Sequence, residues 1–198
     1  MAKILLATLH SAEPVLLAAN KLGPDRIILL VNKEEDDVLK KSIELIKSSL
    51  GLVVEVKLVK LDVFDVVGVA RKSVDIIDLL PQTDLIYVNI TSGRKTQAMG
   101  LLFGAYARST RVQKIIYNPS EPAAFVQLPK LSFNLTESQK KVLEAIDEGK
   151  YKTPAELSEK VAISKAMLYR NIKELDDMGM ISTEEGFKLT DAGRIGVL

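Results

Sequence analysis

The chain has 198 residues, a nearly balanced charge of 27 Lys or Arg against 26 Asp or Glu, one histidine and no cysteine. The lack of cysteine excludes disulfides, thiolate metal sites and a cysteine nucleophile. A catalytic zinc site is not expected either, because such sites usually draw on several His or Cys ligands. The sequence has no run of about 20 apolar residues and no cleavage-site pattern at the N-terminus, so we expect a cytoplasmic protein without a membrane partner.

Short apolar runs alternate with longer helix-spaced segments over the first 117 residues. The runs predict strands at Ile4–Leu9, Arg26–Val31, Val53–Val59, Leu85–Asn89 and Val112–Tyr117. The segments between them predict helices at Glu13–Leu22, Glu35–Leu50, Phe64–Leu79 and Thr96–Ala107. Almost continuously apolar strands separated by helices indicate a parallel sheet covered on both faces. We therefore expect a Rossmann-like, doubly wound α/β domain.

The next segment predicts an edge hairpin and a domain boundary. The turn residues at 118–122 lead into a sixth strand at Ala123–Leu128. So short a connection favours an antiparallel pair, which makes the sheet mostly rather than wholly parallel. The segment Pro129–Asn134 then leads out, and we place a first domain at residues 1–134 and a second at 135–198.

The second domain has three helix-start signals. Thr136 with Gln139 forms a capping box, Thr153 precedes a proline, and Ser164 is an N-cap. The predicted helices are Glu137–Glu148, Pro154–Lys160, Lys165–Met178 and Thr190–Val197. Two short strands, Met180–Thr183 and Phe187–Leu189, flank a glycine turn before the last helix. This order is that of a small winged helix-turn-helix domain.

The third helix of this domain is the candidate DNA-reading element. Leu168, Ile172 and Leu175 share one face and are expected to pack inward. Arginine can bond guanine bidentately, and lysine and tyrosine suit phosphate oxygens. The candidate DNA contacts are Lys165, Ala166, Tyr169, Arg170 and Lys173 on the helix and Lys188 on the wing, with Lys150 and Lys152 as further phosphate contacts. Docking to a protein stays open as an alternative, because residues 135–198 hold ten Lys or Arg and twelve Asp or Glu.

A cluster of small, polar and cationic residues follows the fourth strand, in the stretch VNITSGRKT. If the first and fourth strands are adjacent, their loops form the crevice where doubly wound sheets bind ligands. A glycine for close approach, a helix start and two cations would suit a phosphate-bearing ligand. The candidates are Thr8, His10, Ser11, Asn89, Thr91, Ser92, Gly93, Arg94 and Lys95. A plain turn whose cations face water is the alternative. The pattern is neither a P-loop nor GxGxxG, so no cofactor is expected.

These residues, in a chain of this domain order, resemble the CARF family, the CRISPR-associated Rossmann-fold sensors joined to winged helices. The closest resemblance is to archaeal CRISPR-associated transcription regulators. It rests on the motif Asn/Asp-x-Thr-x-Gly-x-Lys/Arg, met here by Asn89, Thr91, Gly93 and Lys95. The resemblance implies a homodimer whose paired loops receive a cyclic oligoadenylate, often the four-membered ring. The first loop would add Thr8, His10, Ser11 and Glu13, with His10 and Ser11 standing where some relatives carry glycine.

Three functions follow as hypotheses. The first is a transcription regulator that binds cyclic oligoadenylate and double-stranded DNA, with Pro129–Asn134 transmitting the signal. The second is a ring nuclease, in which Ser11 would orient the reacting group and Lys95 would stabilise developing charge. The third is a winged-helix regulator that senses another nucleotide or a phosphorylated metabolite.

Overall fold

The computed structural model describes residues 1–119, 125–129, 135–151, 153–183 and 186–198. The chain divides into two compact units, Met1–Ser132 and Phe133–Leu198. Over the described ranges, no helix combines the length and the apolar character that crossing a membrane requires.

The first unit is built on one six-stranded sheet. Its strands are β1 (Lys3–Thr8), β2 (Arg26–Asn32), β3 (Glu55–Leu61), β4 (Leu85–Asn89), β5 (Val112–Tyr117) and β6 (Val126–Leu128). They lie in the order β3-β2-β1-β4-β5-β6, and only the β5–β6 pair is antiparallel. The predicted Rossmann-like, mostly parallel sheet with an edge hairpin is confirmed.

Helices cover both faces of this sheet. They are α1 (Glu13–Leu22), α2 (Asp37–Leu50), α3 (Val66–Leu79) and α4 (Lys95–Ala107). Alternate residues of one strand enter different cores: Leu6 packs with Val69 of α3 and Leu101 of α4, whereas Leu5 packs with Val15 of α1 and Ile43 of α2. Both sides of the central strands are therefore buried, which explains their continuous apolar sequence.

Several boundaries differ from the predictions, and three of the starts have a local cause. The second and third helices begin two residues late, at Asp37 and Val66, because the carboxylates of Asp36 and Asp65 cap them by accepting from backbone N–H groups one turn ahead. The third strand begins at Glu55 rather than Val53. The backbone N–H groups of residues 53 and 54 still bond the carbonyl of Leu50 at the end of α2.

The second unit is a winged helix-turn-helix domain. Its elements are α5 (Glu137–Asp147), α6 (Pro154–Val161), α7 (Lys165–Asp177), β7 (Ile181–Ser182), β8 (Lys188–Leu189) and α8 (Asp191–Gly196). The predicted caps at Thr136, Thr153 and Ser164 are confirmed, each hydroxyl accepting from the N–H three residues on. The wing strands are shorter than predicted, partly because the Met180 N–H bonds the Leu175 carbonyl at the end of α7.

Some predicted residues fall outside the described ranges. These are Ala123 at the start of the predicted sixth strand, most of the connecting segment Pro129–Asn134, and Lys152.

Candidate ligand site and DNA-reading helix

The two candidate loops lie side by side at the point where the strand order reverses. β1 and β4 are adjacent and parallel, and Ala7 pairs with Asn89. From this pair, β2 and β3 extend in one direction and β5 and β6 in the other. The loops after β1 and β4 therefore emerge together at the carboxyl edge, where open α/β sheets bind their ligands.

Ser92 joins the two loops. Its hydroxyl oxygen lies 2.9 Å from the backbone nitrogens of both His10 and Ser11, which donate to it, and 3.0 Å from the Ser11 carbonyl, to which it can donate. The Thr8 hydroxyl donates in turn to the Ser92 carbonyl. Thr8 is fully buried and Ser92 is 5% exposed. Both hydroxyls are therefore buried, and their hydrogen bonds fix the conformation of the loops.

Asn89 has a similar internal role. Its side-chain oxygen accepts from the backbone N–H and the hydroxyl of Thr91, and its amide donates to the carbonyl of Pro14 at 3.2 Å. The Thr91 hydroxyl oxygen also accepts from the N–H of Asn118 at 2.8 Å. These bonds fix the turn after β4 against the start of α1 and the end of β5.

Gly93 lets the chain pass close to a buried glutamine. Its φ is +89°, and a Cβ at this position would stand 2.2 Å from Oε1 of Gln97. Gln97 accepts from the Arg94 N–H at 3.3 Å and donates to the Leu30 carbonyl of β2 at 2.8 Å. Sequence reasoning missed Gln97, although a glutamine at the third position of a helix is a capping signal.

A cavity of about 560 Å³ opens beside the joined loops. Its walls combine apolar groups, such as Leu17, Tyr117 and Phe125, with hydrogen-bonding groups, such as Asn20 and Asn118. The full lining is Ser11, Glu13, Pro14, Leu17, Asn20, Lys21, Thr91, Tyr117, Asn118, Pro119 and Phe125. Apolar walls with a few polar groups are typical of small-molecule pockets. Apart from Ser11, Glu13 and Thr91, sequence reasoning missed these residues, because they come together only through the sheet order.

The other candidate residues point elsewhere. His10 and Arg94 line a much smaller space of about 10 Å³ together with Glu34 and Asp36. The His10 imidazole Nδ1 lies 3.8 Å from the Asp36 carboxylate. Lys95 is exposed at the first position of α4. The structure therefore brings the predicted loop residues together but gives their side chains different surroundings. Thr8, Asn89 and Ser92 are buried, Ser11 and Thr91 line the large cavity, and His10 and Arg94 line the smaller space.

The candidate DNA contacts lie on the exposed side of α7. Its inward face is buried as predicted, through Leu168, Ile172 and Leu175. The candidate residues Lys165, Ala166, Tyr169, Arg170 and Lys173 are all exposed on the helix, as are Met167, Asp176 and Asp177, and Lys188 is exposed on β8 of the wing. Nε of Arg170 donates to the Glu174 carboxylate at 2.9 Å, and this hydrogen bond raises the pKa of the Arg170 guanidinium.

Comparisons with known proteins agree with this architecture. Residues 7–122 match the family model described as HFX_2341_N-like, N-terminal, which covers more than half of the chain. Residues 135–182 match a model of winged helix-turn-helix DNA-binding domains. A search of curated proteins gave no match.

Two solved structures share the fold. One is Can2 from Sulfobacillus thermosulfidooxidans in complex with cyclic tetra-adenylate, with 15% identity, a TM-score of 0.50, and coverage of 98% of this chain and 63% of that one. The other is Csm6 from Enterococcus italicus bound to cyclic hexa-2′-fluoro-hexa-dAMP, with 13% identity, a TM-score of 0.53, and coverage of 92% and 56%. The chain thus spans about three-fifths of the length of these proteins. The resemblance to CARF-type domains joined to a winged helix is confirmed at the level of the fold.

Proposed function

This chain belongs to the HFX_2341_N-like, N-terminal family, and from that premise we propose that it is a homodimeric transcription regulator controlled by a cyclic oligoadenylate. Residues 1–134 would bind the ring and form the dimer, and residues 135–198 would bind double-stranded DNA. In general terms, a CARF-like domain joined to a winged helix supports a ligand-responsive regulator. The identity of the ligand as a cyclic oligoadenylate, the dimer, and the binding of double-stranded DNA are what we propose beyond this general statement.

The observation that carries the ligand assignment is the joining of the two loops by Ser92 at the reversal of strand order. It leaves the exposed Lys95 ammonium at the first turn of α4, next to the close turn at Gly93. A helix start and a cation both favour a phosphate. We assign the phosphate to this place, and assign a nucleoside to the neighbouring cavity, where Ser11 and Thr91 offer hydroxyls.

The dimer follows from the symmetry of the proposed ligand. A cyclic tetra-adenylate with twofold symmetry presents equivalent phosphates and bases to two equivalent loops, and a twofold axis relates identical surfaces of two chains. One ring is therefore expected for every two chains.

Calorimetric titration with cyclic tetra-adenylate tests the ligand. We expect saturable heat at one ring per two chains, weakened in Lys95→Ala and unchanged in Lys72→Ala, which removes an exposed lysine from α3. Equal effects of both substitutions would contradict the phosphate assignment. If another nucleotide binds and the ring does not, that nucleotide becomes the proposed ligand in place of cyclic oligoadenylate.

Titration of DNA without and with the ring tests regulation. If the ring changes DNA affinity, DNA must change ring affinity by the same factor. Unchanged DNA affinity at saturating ring would overturn the regulatory proposal while leaving the ligand assignment intact.

A second candidate function is cleavage of the ring, favoured by the position of Ser11. Its exposed hydroxyl lines the cavity, within reach of a ribose bound there. In such cleavage a ribose 2′-hydroxyl loses its proton and attacks the adjacent phosphate, forming a 2′,3′-cyclic phosphate, while the P–O5′ bond breaks and the 5′-oxygen leaves as a hydroxyl. This step needs in-line positioning and charge stabilisation. Linear products formed by the chain, and lost in both Ser11→Ala and Lys95→Ala, would support this function.

A further inference from the structure

A chain of hydrogen bonds connects the first turn of α5 to the candidate base-reading arginine of α7. The Thr136 N–H donates to Oε1 of Gln139 at 2.9 Å, and Nε2 of the same amide donates to the Glu174 carboxylate at 2.8 Å. The other oxygen of Glu174 accepts from Nε of Arg170 at 2.9 Å. Gln139 is 6% exposed, whereas the Arg170 side chain is 79% exposed. The buried amide of Gln139 therefore fixes the Glu174 carboxylate, which in turn accepts the hydrogen bond from Arg170.

A second bond strengthens the connection between the same two helices. The amide of Asn171, itself 4% exposed, donates to the Ser138 hydroxyl at 3.1 Å. Buried polar groups need specific partners, so these two contacts fix the register of α5 against α7.

An exposed Arg–Glu pair one turn apart normally contributes little, since both side chains move freely. Here one partner is immobilised. With Glu174 fixed on the amide of Gln139, the bond to Nε also limits the rotation of the Arg170 guanidinium. Nε is the nitrogen bonded to Glu174, and the two terminal nitrogens of a guanidinium can offer parallel N–H groups to O6 and N7 of guanine. Holding them in place before binding lowers the entropy lost on binding.

We propose that Gln139 and Glu174 are positioning residues that orient Arg170 for base recognition, and that they set the sequence selectivity of the DNA-reading helix. This inference rests on the proposed DNA-binding function. It gives Glu174, an acidic residue on a DNA-facing helix, a role other than repelling phosphates. It also links the orientation of Arg170 to the backbone of Thr136, at the start of the second unit.

The test begins with the full-length chain and a pool of randomised DNA duplexes. Sequences enriched by the wild-type chain define a preferred site, and replacing one base pair at a time gives the discrimination at each position. Arg170→Ala identifies the base pair that Arg170 reads. We expect Glu174→Ala to lower discrimination at that same base pair by about tenfold, because a bidentate contact discriminates between bases only when the guanidinium is correctly oriented.

Asp177→Ala is the matched control, since it removes the same charge from the last turn of the same helix. It should leave discrimination unchanged, although both substitutions raise overall affinity by reducing repulsion. In the double variant Arg170→Ala/Glu174→Ala, discrimination should be no lower than in Arg170→Ala alone. A purely structural role of Glu174 would change the melting temperature but not the discrimination at one base pair.

The orientation itself can be followed without DNA. The Nε–H nuclear magnetic resonance signal of Arg170 should exchange slowly with water in the wild-type chain and quickly in both Glu174→Ala and Gln139→Leu. Full discrimination in a folded Glu174→Ala variant would overturn the positioning role and leave DNA binding intact. Failure of the wild-type chain to enrich any sequence would overturn the DNA-binding function and this inference together.

Discussion

The hydroxyl oxygen of Ser92 lies 2.9 Å from the backbone nitrogen of Ser11, 81 residues earlier in the chain. Through this contact the loop after β4 determines the shape of the loop after β1. The two serines have different roles because of their positions: Ser92 is buried and bonded to backbone groups, whereas Ser11 is exposed at the cavity.

Replacing Ser92 with alanine should therefore destabilise the first unit and weaken ligand binding. The change leaves the partly buried N–H groups of His10 and Ser11 without their shared acceptor, and losing a typical hydrogen bond costs about 0.5–1.5 kcal/mol. Urea unfolding and ring titration measure the two effects. Ser48→Ala, which removes an exposed hydroxyl bonded only within its own helix turn, should change neither. A Ser92→Ala chain of wild-type stability would contradict the role assigned to this contact.

Gly93→Ala should also destabilise the first unit, by about 1–3 kcal/mol, from backbone strain at positive φ and from displacement of Gln97. The displaced amide would lose its bond to the Leu30 carbonyl. Gly186→Ala in the wing separates the two causes. Its φ is +90°, and among the described residues no atom lies within 4 Å of the added Cβ. Unfolding should show a smaller loss of stability for Gly186→Ala, and equal losses would indicate that strain alone acts at Gly93.

Filling the large cavity should block the proposed nucleoside without unfolding the chain. Leu17 lines the cavity and is 49% exposed, so Leu17→Trp adds volume there with little strain. We expect ring affinity to fall by at least about tenfold, or ~1.4 kcal/mol. Leu79→Trp, at an 84% exposed position on α3 away from the cavity, is the control. Undiminished ring affinity in a folded Leu17→Trp chain would show that the nucleoside does not bind in this cavity.

The second unit should lose stability in acid through Glu148. Its carboxylate hydrogen-bonds Lys160 and contacts Lys150, and the Lys160 bond is the main cause that lowers the pKa of Glu148 below its ordinary value. A lowered pKa in the folded state means that the stabilisation is present above the ordinary carboxyl pKa and is lost as pH falls through the folded value. Wild type should therefore melt above Glu148→Gln at pH 7.

This difference should shrink as pH falls below the ordinary carboxyl range, and it should disappear once the wild-type carboxylate is protonated. Asp177→Asn, which neutralises an exposed carboxylate of α7, is the control for the loss of one negative charge. A gap between wild type and Glu148→Gln that persists in acid would show that the charge of Glu148 is not the cause.

Local sequence determined most of the architecture. Apolar runs identified the strands because their side chains are buried on both faces of the sheet, and Thr136, Thr153 and Ser164 identified helix starts because caps act within three residues. The same physics applied at Asp36 and Asp65, whose capping role went unused in the predictions and displaced two helix starts. The polar loop after the fourth strand, with its glycine and cations, also marked the candidate site.

Only the tertiary structure decided what each residue of that loop does. Ser11 and Ser92 are chemically identical, and their difference in exposure arises from contacts between segments 81 residues apart. The cavity walls come from the loops after β1, β4 and β5, from α1, from the end of β5 and from the residue preceding β6, and they meet because β1 lies beside β4. Local sequence patterns do not specify such long-range pairings, because the pairings depend on how the whole sheet packs against the helices on its two faces. The sequence by itself therefore determined the elements and the loop, and the fold decided which side chains remain available to a ligand.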